Sequence, residues 1–148
     1  MLAGRLDMTR RGSFLLKGAL VWLPMPIAAI ANGALRDLLL APLLGEHAAQ
    51  ILAVLVLLIV IYVITAVFLG RAGHRRGSAD LWALGVLWMV LTIAFEIVFF
   101  GAFLGVPISE LLAAYNILAG ELWIVVVAGV LLAPPLVGAG LRLLHQND

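Results

Sequence analysis

Residues 51–70 read ILAVLVLLIVIYVITAVFLG, a run of twenty residues without a single charge, in which Tyr62 and Thr65 carry the polar side-chain atoms. A helix rises about 1.5 Å per residue, so this stretch covers the roughly 30 Å of hydrocarbon in a bilayer. Its apolar residues follow one another without the alternation that a membrane β-strand requires. Inside lipid a chain must close its own backbone hydrogen bonds. A transmembrane helix over about 48–70 is therefore the expectation, and it frames everything on either side of it.

Three further segments have comparable length and polarity. They cover about 18–40, 81–104 and 122–141. The first is interrupted by Pro24, Pro26 and the polar group Asn32, Arg36 and Asp37; the third carries Glu96; the last contains Pro134 and Pro135. The whole chain of 148 residues is 65% hydrophobic and 11% charged. A soluble domain is nearer 45–50% apolar and about 25% charged, and one small core could not hide this excess. The same composition excludes a disordered chain. The fold class expected is all-α: one domain over residues 1–148, a bundle of four transmembrane helices with a short interfacial helix between the third and fourth.

Orientation follows from the nine Lys and Arg residues. Arg5, Arg10, Arg11 and Lys17 precede the first span, Arg71, Arg75 and Arg76 lie between the second and third, and Arg142 closes the fourth. With four crossings all of these share one side, which leaves Arg36 near the other. Basic flanks stay cytoplasmic, so both termini are expected in the cytoplasm. The basic start, an apolar run and Ala29-Ile30-Ala31 also imitate a secretory signal peptide. Removing that segment would strand the remaining basic residues, and the first helix is kept.

Glu96 is the informative side chain. An acid at membrane depth is expensive and normally faces the bundle with a partner. Counting about 1.5 Å per residue from the cytoplasmic edge puts Glu96 about 22 Å in, Asn32 about 21 Å and Arg36 about 27 Å. Asn32 and Arg36 are four apart and share a helix face. The expectation is an outer-leaflet cluster in which Glu96 accepts from Arg36 and Asn32 as a buried ion pair, with Asp37 at the external interface facing water or pairing with Arg36. Such a cluster either fixes which helix faces which or lines an externally open cavity. Tyr115, Asn116 and Glu121 are expected as solvated loop residues, with closure over Glu96 as the alternative.

Smaller features have local expectations. Ser109 is placed as the cap of the short helix, and Gly101 and Gly105 as a helix end and turn before Pro107. Gly129 and Ala133 form a small-residue face on the fourth span. Pro134 and Pro135 are expected to kink that span or end its regular part. Pro42, Gly45, Glu46, His47 and Gln50 make the first external turn and the start of the second helix. Trp82 and Trp123 sit near span ends, as interfacial anchors do.

The chemistry inventory is short. Cysteine is missing from the sequence, so thiolate chemistry and disulfides are excluded. His47, His74 and His145 fall in loops or tails, which opposes a bis-histidine haem site. No HExxH, GxSxG, Walker or dinucleotide sequence occurs. Neither an enzyme, a cofactor nor a metal is expected, and a net charge of +1 gives no basis for nucleic-acid binding. The partners expected are the lipid bilayer and a homo-oligomer or another membrane protein.

Asn32-Gly-Ala-Leu-Arg36-Asp37, Ser109-Glu-Leu-Leu-Ala-Ala-Tyr115-Asn116, Gly120-Glu-Leu-Trp123 and the acid after Phe95 also resemble a group of small uncharacterised bacterial four-helix integral membrane proteins. The resemblance covers about residues 22–135 and implies an inner-membrane location, with no activity to transfer. The functional expectation is a non-enzymatic accessory, assembly or scaffold component. The alternative is a small oligomeric transporter or channel that uses Glu96 and Arg36 as a polar solute or proton site.

Overall fold

Long uncharged runs close their own hydrogen bonds, and helices form wherever they occur. The computed structural model describes residues 2–72 and 76–144, with side chains from Met8 onward; Arg75, His74, His145 and the Arg5 side chain lie outside the described set. Within it the chain is helical and contains no strand. Four helices are long and apolar enough to cross a membrane: Met8–Leu44, Glu46–Ala72, Ser78–Phe103 and Trp123–Leu144. The protein is an all-α, multi-pass bundle. Connections are short enough that successive spans run antiparallel, so one end of the bundle carries both chain ends.

The first span is built in pieces. Helix α1 (Leu2–Trp22) gives way at Leu23 to α2 (Pro24–Leu35). Neither Pro24 nor Pro26 can donate to the preceding turn, and the Leu23 amide closes on Leu20 O at 3.2 Å instead. Beyond Leu35 the helix widens into a π segment, Arg36–Leu40, and ends in α3 (Ala41–Leu44). Pro42 sits in that last turn, so the first turn between spans is shorter than the sequence suggests. Gly45, with φ +82°, is the pivot. Gly reaches that conformation at no steric cost. The second span, α4 (Glu46–Ala72), is one unbroken helix.

The third span is α5 (Ser78–Glu96) continued by a second π segment, Ile97–Phe103, and it stops at Gly105, φ +71°. The expected helix end at Gly101–Gly105 is therefore present. The short helix α6 (Ile108–Ala113) follows, but its first turn has no side-chain cap. Ser109 lies inside it and Pro107 takes the capping position, since its extended φ and ψ already lead the chain into the turn. A 3-10 turn at Ile117–Ala119 leads to the fourth span, α7 (Trp123–Leu144).

That last helix passes through Pro134 and Pro135 without ending, so of the two outcomes expected of these prolines, a kink or an end to the regular helix, the second does not occur. The missing Pro135 N–H leaves the Leu131 carbonyl without its usual i+4 donor. This carbonyl packs against Gly85 of α5, where an added Cβ would also lie 3.1 Å from Leu131 C. Close approach of a glycine Cα to a carbonyl is a familiar small-residue contact between helices. Tertiary packing thus takes over where helix hydrogen bonding fails. Gly129 and Ala133 lie on the same buried face, Gly129 against the Leu58 side chain of α4.

The core continues through Leu57, Met25 and Val126 into the half away from the termini, and is richest in large aromatic side chains at the end that carries them. Phe14, Phe68, Leu81, Leu84 and Trp88 are almost fully buried there. Phe14 stacks on Phe68 at 5.6 Å, and Phe68 tilts against Trp88 at 6.5 Å. The indole of Trp88 donates to Gly18 O at 2.8 Å, tying α5 to α1. Arg11 and Asp80 close the same end with an ion pair at 3.1 Å.

Candidate functional site

The break at Leu23 separates two packing regimes of the first span. Below it, α1 is held to α5 by Trp88. At the break, Trp22 Nε1 donates to Thr92 Oγ1 at 3.0 Å, while the Thr92 hydroxyl itself donates to Trp88 O at 2.8 Å. Above it, α2 leans on α4 instead, and Asn32 Nδ2 donates to Ala53 O at 2.9 Å. The upper halves of the first and third spans are left apart, and a cavity of about 530 Å³ opens between them. All four spans and α6 contribute to its wall.

Asn32, Arg36, Asp37, Glu96 and Glu121 all line this cavity. Of the pairings expected from the sequence, Arg36 with Asp37, given there as an alternative, is present, and Arg36 with Glu96 is not. Arg36 Nε meets Asp37 Oδ1 at 2.7 Å, and no Arg36–Glu96 ion pair exists among the described residues. The physical reason is the lean of α2. Depth alone put Arg36 level with Glu96, but the proline break carries the upper helix toward α4. A neighbouring carboxylate on the same helix then satisfies the guanidinium. Asn32 likewise uses its amide on a backbone carbonyl rather than on Glu96.

Glu96 finds its partners elsewhere. It is buried, at 7% exposure, and its Oε2 accepts from the Tyr115 hydroxyl and from Trp123 Nε1, the latter at 3.0 Å. Closure over Glu96 by Tyr115 is thus the arrangement found, in place of the solvated loop residue expected. Burial, then the bond to Glu96, push the Tyr115 phenol well above its ordinary range. The phenol therefore keeps its proton and stays a donor. Neither donor points at Oε1, and no fully buried side-chain oxygen lacks a partner among the described residues. Oε1 is thus the oxygen left free of both donors, on a residue that lines the cavity.

Two further contacts shape the mouth. Gln50 Nε2 donates to Glu121 Oε2 at 2.9 Å, joining the start of α4 to the approach to α7. Asn116 stands apart from the cavity: its Oδ1 accepts from Ala119 N at 3.3 Å and its carbonyl from Glu121 N at 3.2 Å, so it shapes the turn. Trp22, Thr92 and Trp123 are not among the site residues expected from the sequence, where Trp123 is an interfacial anchor, although each lines the cavity. Only a polar atom on a residue facing Glu96 could have flagged them, and helix rotation is invisible in a uniformly apolar span. Trp123 is more than an interfacial anchor.

The wall is mainly apolar and aromatic. Phe95 meets Trp22 edge-on at 6.1 Å and stacks on Phe99 at 5.0 Å; Phe99 stacks in turn on Phe103 at 5.9 Å. Of these rings Trp22 and Phe95 line the cavity, and the stack continues through Phe99 and Phe103 along the π segment that follows Glu96. No group of three or more His, Cys, Asp or Glu able to hold a metal occurs among the described residues.

The latch on Glu96 can be tested directly. Tyr115→Phe removes one donor from a buried acceptor, a change worth about 1.5–3 kcal/mol for a hydrogen bond to a charged group. The expected result is a lower thermal midpoint in detergent and faster proteolysis between residues 104 and 122. An unchanged cleavage rate would mean that the latch does not hold the loop. Comparison with protein family models, characterised proteins and solved structures finds no match to this chain.

Proposed function

We propose that the chain is a non-enzymatic protein of the bacterial inner membrane, with both termini in the cytoplasm, that acts as an accessory component by binding a guest molecule in a cavity open to the outside. One observation carries the reading: the cavity is one-ended. It collects Asn32, Arg36, Glu96 and Glu121 in one half of the bundle, whereas the other half is filled by Phe14, Phe68, Leu84 and Trp88. The basic residues of the tails and the loop between the second and third spans support a cytoplasmic position for the filled half. A volume of about 530 Å³ lies within the roughly 300–1,000 Å³ of small-molecule sites.

A transporter using Glu96 and Arg36 remains the second reading, favoured by the presence of both charges on a single cavity wall. It needs a water path through the aromatic floor at some stage of its cycle. The chain lacks cysteine, so single substitutions report cleanly. Ala29→Cys and Ala53→Cys in the cavity should react with a membrane-impermeant maleimide added from the periplasmic side, and Leu84→Cys from neither side. Labelling of Leu84→Cys from the cytoplasm would replace the accessory reading with the transporter. Cavity labelling from the cytoplasm alone would reverse the orientation.

A further inference from the structure

We propose that the guest of this cavity is an amphiphilic organic monocation, such as a substituted ammonium on an aromatic or alkyl body, with its charge set against Glu96 Oε1. The inference rests on the binding reading above and names the class of molecule bound. The charged groups on the wall are Arg36, Asp37, Glu96 and Glu121, one base against three acids. Arg36 is already consumed by Asp37 at 2.7 Å, and Glu121 accepts from the neutral Gln50 amide. With its carboxylates ionised the cavity therefore carries two negative charges beyond its own compensation. An anionic headgroup would meet repulsion there.

Glu96 supplies the directed part. It is more than nine-tenths buried, and both of its protein donors converge on Oε2. Oε1 is left without either donor, on a residue that lines the cavity. Its surroundings select among cations. Trp22, Phe95, Phe100 and Trp123 contribute aromatic surface to the same wall, and aromatic faces attract weakly hydrated cations. Most of the remaining wall, including Met25, Leu57, Ile61 and Val130, is aliphatic. A metal ion would find one free carboxylate oxygen and no further ligand set of the usual kind. An alkylammonium with an apolar body meets all three features at once.

The test uses the rate of maleimide labelling at Ala29→Cys in purified full-length protein. Benzyltrimethylammonium and hexyltrimethylammonium serve as cations, benzylsulfonate as the anion and benzyl methyl sulfone as the neutral control. The expected result is saturable slowing of about tenfold by the cations and none by the sulfonate or sulfone. Glu96→Gln keeps an oxygen for Tyr115 and Trp123 but loses the charge, and should raise the half-protecting cation concentration at least tenfold. Glu121→Gln, at the exposed mouth, should raise it several-fold and covers the case in which the Glu96→Gln protein does not fold. Equal protection by sulfonate or sulfone, no protection by either cation, or cation protection unaffected by both substitutions would overturn the proposal. Protection by the sulfonate or sulfone alone would refute the cation class while leaving a binding cavity in place. A cavity cysteine that never reacts with maleimide would instead overturn the binding reading itself.

Discussion

Gly85→Ala is expected to be the most damaging single methyl addition in the bundle. The new Cβ would collide with the Leu131 carbonyl and lie 3.1 Å from Leu131 C and 3.5 Å from its Cα. These are backbone atoms of α7, and they cannot rotate away as a side chain can. The whole helix must retreat, opening the contact between the third and fourth spans. Overpacking of this kind costs about 1–3 kcal/mol or more, offset by less than about 1 kcal/mol from the better helix propensity of alanine. Gly140→Ala on α7 is the control, because nothing lies within 4 Å of its added Cβ. Thermal unfolding in detergent should show a clear drop for the first and none for the second. Equal midpoints would mean that α5 and α7 do not approach as closely as described.

The second large effect belongs to Glu96→Leu. The substitution keeps bulk but leaves the Tyr115 hydroxyl and Trp123 Nε1 without an acceptor. A fully buried unsatisfied donor costs about 1–3 kcal/mol and these two are half-buried, so the variant is expected to lose on the order of 2 kcal/mol together with the closure of the loop between the third and fourth spans. Arg36→Leu should be much milder. It removes a partner from Asp37, which is 59% exposed at its side chain and can turn to water. Had the two residues formed one buried ion pair, both single changes would be comparably severe, because each would leave an unpaired charge. The contrast between these variants separates the observed arrangement from the one depth counting suggests.

The fold was legible because hydropathy over twenty residues is a strong signal that local detail cannot mask. All four spans lie where the apolar runs lie, and Gly45 and Gly105 mark turns as glycines with positive φ do. Span ends were less legible. The first crossing extends to Leu44, past Pro42, because a π segment absorbs the proline that would otherwise end the helix. The helix runs on through Pro134 and Pro135 beside a contact that leaves no trace in the local pattern, that of the Leu131 carbonyl with Gly85.

Within the site, residue choice was legible and pairing was not. Glu96, Arg36 and Asn32 announced themselves as polar groups in apolar surroundings. Which of them touch depends on helix rotation and on the lean of α2 at the proline break, and neither can be read from spacing. Asp37 captured Arg36 by adjacency alone. Trp123 was explained too readily by its position near a span end, a role that said nothing of its indole N–H. Tyr115 had the right chemistry, but its approach to Glu96 depends on the path of α6 and the following turn.

A pair of double-mutant cycles measured by unfolding in detergent tests the site most directly. One combines Glu96→Leu with Tyr115→Phe, the other Glu96→Leu with Arg36→Leu. A coupling of about 1.5–3 kcal/mol is expected in the first cycle and one within about 0.5 kcal/mol of zero in the second. Strong coupling between Glu96 and Arg36, with none to Tyr115, would contradict that expectation.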